Sequence, residues 1–191
     1  MKRKLLYLLA ALLFLSGCSD KNAAVENNYT ELSYTHYASG GTPETYVAVI
    51  LFEQACSTFT AYQLAFSSCT CRDPLVCYYS VCYVELLNTK QSSEDAAIRA
   101  ISFGDNMGLW GDSNPNYYIP EYTEEYMDEN FVQRLVGATK SDLDSWGGYG
   151  TQLPCVDADA VSGATVSTGN ISSVLKALFE YHAEKYYEEA A

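Results

Sequence analysis

The chain is poor in positive charge: 11 Lys and Arg stand against 24 Asp and Glu, giving a formal net charge of −13 over 191 residues. Such a surface repels phosphate backbones, which excludes nucleic acid as a partner. Histidine is scarcer still, with two residues, so no His-rich haem or zinc scheme is available. Only 18% of the residues are charged while 48% are hydrophobic, so wholesale disorder is excluded and a real core can form. The longest apolar run, Leu5 to Leu15, is too short to span a bilayer as a helix. The length allows one domain, or one domain and a tail.

What is present begins with an export signal. Lys2-Arg3-Lys4 is a basic n-region, the Leu5 to Leu15 run an h-region, and Leu15-Ser16-Gly17-Cys18 follows. The last four residues resemble a bacterial lipobox, which implies cleavage before Cys18 and lipidation of its thiol and new amino terminus. The alternative is an ordinary signal peptide that contains a Cys; the polar Ser19-Asp20-Lys21 after it favours the lipoprotein. Several acyl chains on one Cys suffice for stable anchoring. The expected location is the extracytoplasmic face of the cell membrane, tethered by lipid. Loss of residues 1–17 removes three basic residues and takes the charge from −13 to −16. Residues 18–45, polar and carrying Asn27-Asn28 and Ser39-Gly40-Gly41, read as the lipidated N-terminus and a flexible tether. Residues 46–191 are left as the folded domain.

With Cys18 committed to lipid, Cys56, Cys69, Cys71, Cys77, Cys82 and Cys155 remain. An even number in an exported protein favours disulfides, in a pairing that spacing does not choose. Cys69 and Cys71 should not pair with each other, because an extended two-residue separation aims their side chains poorly. A thiolate site for zinc or an iron–sulfur cluster is the alternative reading. The spacing lacks the repeated two-residue gaps of such sites, so no metal is expected.

Periodicity predicts an α+β domain: a largely antiparallel sheet packed by at least two helices. Tyr46 to Phe52 reads as a buried strand, and Val81 to Leu87 and Ile98 to Phe103 as further strands. Cys56 to Cys77 fits neither period cleanly. Gly104 to Pro120 is a long loop. Glu121 to Val136 predicts a helix with Tyr122, Met127, Phe131, Leu135 and Val136 on its apolar face, stopped by Gly137. Gly147-Gly148 and Gly150 mark a second loop. From Ser167 or Thr168 a last helix carries Ile171, Val174, Leu175, Leu178 and His182 on one stripe, with His182 a core-edge residue rather than a ligand.

Just before that helix stands Asp159-Ala160-Val161-Ser162-Gly163-Ala164-Thr165. Gly163 can take a left-handed conformation and admit a close backbone approach. The free N–H groups and positive dipole end of the following helix would favour an anion such as a phosphate near Thr165. A capped helix start with no ligand uses the same residue types.

The segment Asp159-x-x-Ser162-Gly163-Ala164-Thr165, followed by Ser167-Thr168 and an apolar helix, resembles the flavinylation motif of FMN-binding domains. These occur in the C and G subunits of the sodium-pumping NADH:quinone reductase and of Rnf electron-transport complexes, and in exported flavoproteins. The resemblance covers roughly residues 75–185, including Phe131-Val132-Gln133-x-x-Val136-Gly137 and Val156-Asp157-Ala158-Asp159. It implies that Thr165 carries FMN through a phosphoester, installed by an extracytoplasmic flavin transferase that uses FAD and a divalent metal. Asp159, Ser162, Gly163 and Ala164 would be the recognition context. Where the family often shows Glu-Thr before a Gly-x-Gly-like loop, this chain has Asp105-Asn106 before Gly108-Leu109-Trp110-Gly111. Trp110 is the candidate ring-stacking residue.

The implied function is an electron-transfer carrier between a redox donor and an acceptor, with FMN doing the chemistry and the protein positioning it. The acidic surface would guide docking to positively charged partners. A flavin-dependent reductase of a small substrate is the alternative, but Arg72, Arg99 and Arg134 are scattered and no substrate-binding cluster is evident. A disulfide-stapled binding lipoprotein without cofactor is the third class.

Overall fold

Alternation gives four segments one inward face each, a fifth turns Ile98 and Ile101 inward across a register shift, and these segments pair into a sheet. The computed structural model describes residues 29–38, 40–69, 78–104, 124–155 and 165–187. The strands are β1 (Thr30–Tyr37), β2 (Pro43–Ala55), β3 (Phe59–Cys69), β4 (Tyr78–Leu87) and β5 (Ile98–Phe103). They lie in the order β1-β2-β3-β4-β5, each antiparallel to the next, as a meander. Helical segments α1 (Glu124–Met127), α2 (Lys140–Asp144) and α3 (Thr165–Tyr187) follow. This is a single α+β domain, the class expected.

Two expectations are corrected. The tether expected to run to residue 45 ends earlier, because residues 30–37 are edge strand β1, paired along its length with β2. Leu32, Tyr34 and His36 point inward and are buried, while Glu31, Ser33 and Thr35 are exposed. β2 is also not buried on both faces. Ala48 and Ile50 face the core, whereas Val47, Leu51 and Phe52 are exposed. The ambiguous segment after Cys56 holds β3, whose Tyr62, Leu64 and Phe66 alternate into the core.

The helix expected over 121–136 is present from Glu124 to Leu135, but it changes winding along its length. An α turn passes into a π segment over Asp128–Val132 and a 3₁₀ turn over Gln133–Leu135. Met127, Phe131, Val132 and Leu135 are buried. Val136 is exposed, because the 3₁₀ turn ends before it and its backbone is already extended (ψ 125°). Tyr122 lies outside the described residues. Gly137 then turns the chain at φ +91°, where an L side chain would be strained. α2 was not expected. It starts on a capping box in which the Thr139 hydroxyl accepts from the Asp142 N–H and the Asp142 carboxylate accepts from the Thr139 N–H.

Of the cysteines expected to pair, the side chains of three are described and none of these is bridged. Cys56, Cys82 and Cys155 are free thiols. Cys82 sits mid-strand on the inward face of β4, opposite Leu64 and Phe103 rather than another Cys, and acts as a small apolar filler. Burial pushes its thiol up to about 12. Cys71, Cys77 and the Cys69 side chain lie outside the described residues, as does Cys18. Among the described residues no three His, Cys, Asp or Glu side chains group as metal ligands, and no helix is long and apolar enough to cross a membrane.

α3 closes the inward face of the sheet with Ile171, Val174, Leu175, Leu178 and Phe179, all buried. Each such side chain contributes about 1.5–3 kcal/mol on burial. Its C-terminal turns are fixed by Glu53 of β2, whose carboxylate accepts from Tyr181 (2.9 Å), Lys185 (2.8 Å) and Tyr186 (2.7 Å). Burial of Glu53 opposes its ionisation, yet these donors outweigh that and hold its pKa below the usual value. His182 is fully buried; its Nδ1 and the Tyr62 Oη share a hydrogen bond of 2.8 Å. Its Nε2 is buried and unbonded, as are both ring nitrogens of His36, which stacks on Tyr46 at 4.1 Å.

Both histidines are therefore held neutral. Burial lowers the pKa of His182 from 6.5 to about 4, against the opposing pull of the Leu87 carbonyl, and burial lowers that of His36 against Glu44. With folded values below unfolded ones, the unfolded chain binds protons that the folded chain refuses. Stability is full above about pH 6.5 and falls as pH drops toward about 4, by at most about 3 kcal/mol for His182. Glu53, lowered in the folded state, extends the loss to still lower pH. Urea midpoints measured between about pH 7 and pH 4.5 should fall steadily, and the His182→Gln variant should show a flatter slope. An equal slope in that variant would remove His182 from this account.

Candidate functional site

Thr165 is the first described residue of α3, and it lines a crevice together with residues that arrive from three places in the chain. Phe131 comes from the π segment. Trp146, Gly150, Thr151 and Leu153 come from the loop after α2. Thr168, Gly169 and Ser172 come from the first two turns of α3. The crevice is nearly closed, with about 10 Å³ of cavity volume, room for about one water.

The loop that carries Trp146 is fixed by its own hydrogen bonds. The Trp146 Nε1–H donates to the Thr151 carbonyl (3.2 Å), and the Thr151 hydroxyl donates to the Gly148 carbonyl (2.7 Å). Gly148 stands at φ +92°, and a Cβ there would come within 3.0 Å of the Tyr37 hydroxyl. Tyr37, the last residue of β1, meets Trp146 edge to face at 6.2 Å and Tyr149 at 5.5 Å. These rings seat the loop against the sheet.

The start of α3 is unusual in being buried and polar. Ser167, Thr168, Asn170, Ser172 and Ser173 are all buried. Their polar groups are satisfied close at hand: the Ser172 hydroxyl donates to the Thr168 carbonyl (2.9 Å). Asn170 reaches outward instead. Its Oδ1 accepts from the Tyr37 N–H (2.6 Å), and its Nδ2 donates to the carbonyls of Tyr37 (3.1 Å) and Ser68 (2.8 Å). The helix start is thus tied to β1 and β3 by one side chain.

Thr165 itself is half-buried at the rim of the cleft. Its place in the first described turn of α3, which holds no acidic residue, puts no negative charge of that turn beside an anionic group on its oxygen. Small residues at Gly169 and Ser172 keep the floor low, and Trp146, Phe131 and Leu153 make an apolar wall. Phe131, Leu153, Thr168 and Ser172 are almost wholly buried, so a planar ring attached at Thr165 would lie outside this crevice rather than in it.

Of the other expected site residues, Asp159, Ser162, Gly163, Ala164 and Trp110 lie outside the described residues. Sequence reasoning missed Trp146, Phe131, Tyr37 and Tyr149. The available signal was an aromatic pair embedded in the glycine run, Trp146-Gly147-Gly148-Tyr149-Gly150, since such loops carry function more often than packing. No protein-family model, curated protein or solved structure matches this chain.

Proposed function

We propose that this chain is an extracytoplasmic lipoprotein, anchored through Cys18, that carries FMN as a phosphoester on Thr165 and relays electrons between two redox partners. The observation that carries the proposal is a coincidence. The threonine that ends the Ser162-Gly163-Ala164-Thr165 segment is a half-buried residue of α3 that lines a crevice with Trp146 and Phe131. Bound FMN would supply one- and two-electron chemistry.

The chain's own residues do the rest. Asp159, Ser162, Gly163 and Ala164 present the hydroxyl to a flavin transferase. In the transfer, the Thr165 oxygen loses its proton and bonds to the FMN phosphorus of FAD, the pyrophosphate link breaks, and AMP leaves. The α3 amides stabilise the resulting phosphodiester anion. A covalent link also suits a compartment that has no flavin pool to replace lost cofactor.

The test is export of the full chain from cells that also make the transferase. The membrane fraction should hold a protein whose flavin fluorescence survives denaturing electrophoresis. Peptide mapping should find FMN on Thr165, and intact mass should show the lipid on Cys18. A bare Thr165 in correctly matured protein would overturn the assignment.

A further inference from the structure

We propose that the outer end of the β1–β2 hairpin, residues 34–37 and 43–48, is a flap that swings away from the sheet when His36 takes up a proton. β1 and β2 pair along the whole of β1, from Thr30 opposite Ile50 to Tyr37 opposite Pro43. β2 joins β3 only from Val49, which lies opposite Ala65. Residues 43–48 therefore stand off from the β3 ladder, and side chains hold this end of the hairpin in place. The Tyr34 hydroxyl donates to the Ser67 carbonyl (2.8 Å). Asn170 engages the backbone N–H and carbonyl of Tyr37 and also donates to the Ser68 carbonyl. Gly41 lies so close under Tyr149 that a Cβ there would come within 2.5 Å of the ring. A segment secured in this way opens at less cost than the sheet behind it.

His36 supplies the trigger. It is fully buried and stacked on Tyr46, with neither ring nitrogen bonded. A neutral imidazole has one N–H donor and a protonated one has two, so a proton here adds a buried charge and a second unmet donor. Facing the ring are Tyr34 from its own strand and Tyr46 from β2, neither of them a counter-charge. Glu44 of β2, opposite His36 in the register, favours the proton, but it is exposed and burial outweighs it. β3 carries no charged residue, α3 none before Lys176, and the loop 145–155 none. Swinging outward puts the imidazolium in water beside Glu44. Tyr37 then leaves Asn170, Trp146 and Tyr149, which loosens the loop that lines the crevice beside Thr165. The open form takes its proton near the ordinary pKa of 6.5 and the closed form only at lower pH, so the open fraction grows as pH falls through that value.

The test is hydrogen exchange in the exported full chain, with each rate corrected for the pH dependence of the chemical step. It needs no flavin, so its outcome is independent of the reading of Thr165. Opening reported by the Tyr37 amide should rise up to about thirtyfold between about pH 7.5 and about pH 5. The amides of β3 and β4 should not follow. The His36→Phe variant keeps a ring on Tyr46 and should lose the pH dependence, whereas His182→Gln should retain it. The chain has two His, so NMR can follow the His36 ring in the wild type itself, whatever the stability of a variant. That ring and the Tyr37 amide should titrate with one midpoint. Opening at Tyr37 that changes less than about twofold overturns the flap, as does a rise shared equally by β3 and β4. So does a rise that persists in His36→Phe, or a midpoint that differs from that of the His36 ring.

Discussion

Replacing Thr165 by valine should remove the covalent flavin proposed for the exported protein, while circular dichroism and the urea midpoint should stay close to those of the wild type. The substitution is nearly isosteric and deletes only the hydroxyl that the phosphoester needs. Thr165 is half-buried in the first described turn of α3, outside the set of fully buried side chains that hold the helix to the sheet. A change at such a site costs about 1 kcal/mol or less. The loss of flavin is therefore all-or-none, and the loss of stability is small. Thr168→Val is the matched control. Thr168 is buried within the helix and its hydroxyl points back toward the Thr165 carbonyl, so it presents nothing to a transferase. That variant should keep its fluorescent band. A band retained by the Thr165→Val protein would move the ester to another hydroxyl and end the present reading of the motif.

Asn170→Leu should have the largest effect on stability, a loss of about 3–5 kcal/mol. The Asn170 side chain is fully buried and makes three hydrogen bonds to backbone groups of Tyr37 and Ser68. Leucine fills a similar volume and makes none of them. One N–H and two carbonyls would lose their partner at once, and each such group costs about 1–3 kcal/mol when left unmade. The urea midpoint should fall with little change in slope. The Tyr37 amide should exchange with solvent much faster than the amides of β3 and β4. A midpoint shift worth less than about 1 kcal/mol would show that β1 is held by strand pairing alone. Because Tyr37 also contacts Trp146 and Tyr149, this variant tests whether the cleft depends on the strand end beneath it.

The strands with runs of branched apolar residues were legible in the sequence. Tyr46 to Phe52, Val81 to Leu87 and Ile98 to Phe103 all fall inside strands of the sheet. β1 was not, because Thr30-Glu31-Leu32-Ser33-Tyr34-Thr35-His36-Tyr37 puts polar residues on its open face and a His among its inward ones. Composition made it resemble a linker, although its period of two was present. β3 was hidden by small residues between its core side chains, and by Phe59, which lies under Arg99 at 4.4 Å rather than in the core. The Gly137 stop was readable from chemistry alone. Thr165 and its buried polar neighbours are already helical but lack an apolar stripe, so periodicity alone did not reach them.

The motif residue at the rim of the cleft was legible, but its surroundings were not. Trp146 and Phe131 reach Thr165 only through the packing of α3 against the sheet and the turn of the loop after α2. Neither is near Thr165 in sequence, and no periodicity links them to it. Trp110, the ring-stacking candidate, lies outside the described residues.

The early start of β1 shortens the leash. If Cys18 bears the lipid, as proposed, only 11 residues separate it from Thr30. Fully stretched, that stretch reaches roughly 40 Å and no farther. The chain joins the sheet at Thr30, whereas the rim of the cleft lies by Tyr37, at the opposite end of an eight-residue strand about 24 Å long. A redox partner embedded in the bilayer would have to rise toward the cofactor, or the whole domain would have to tip over to meet it. The radius within which that exchange can happen is set by where one edge strand begins.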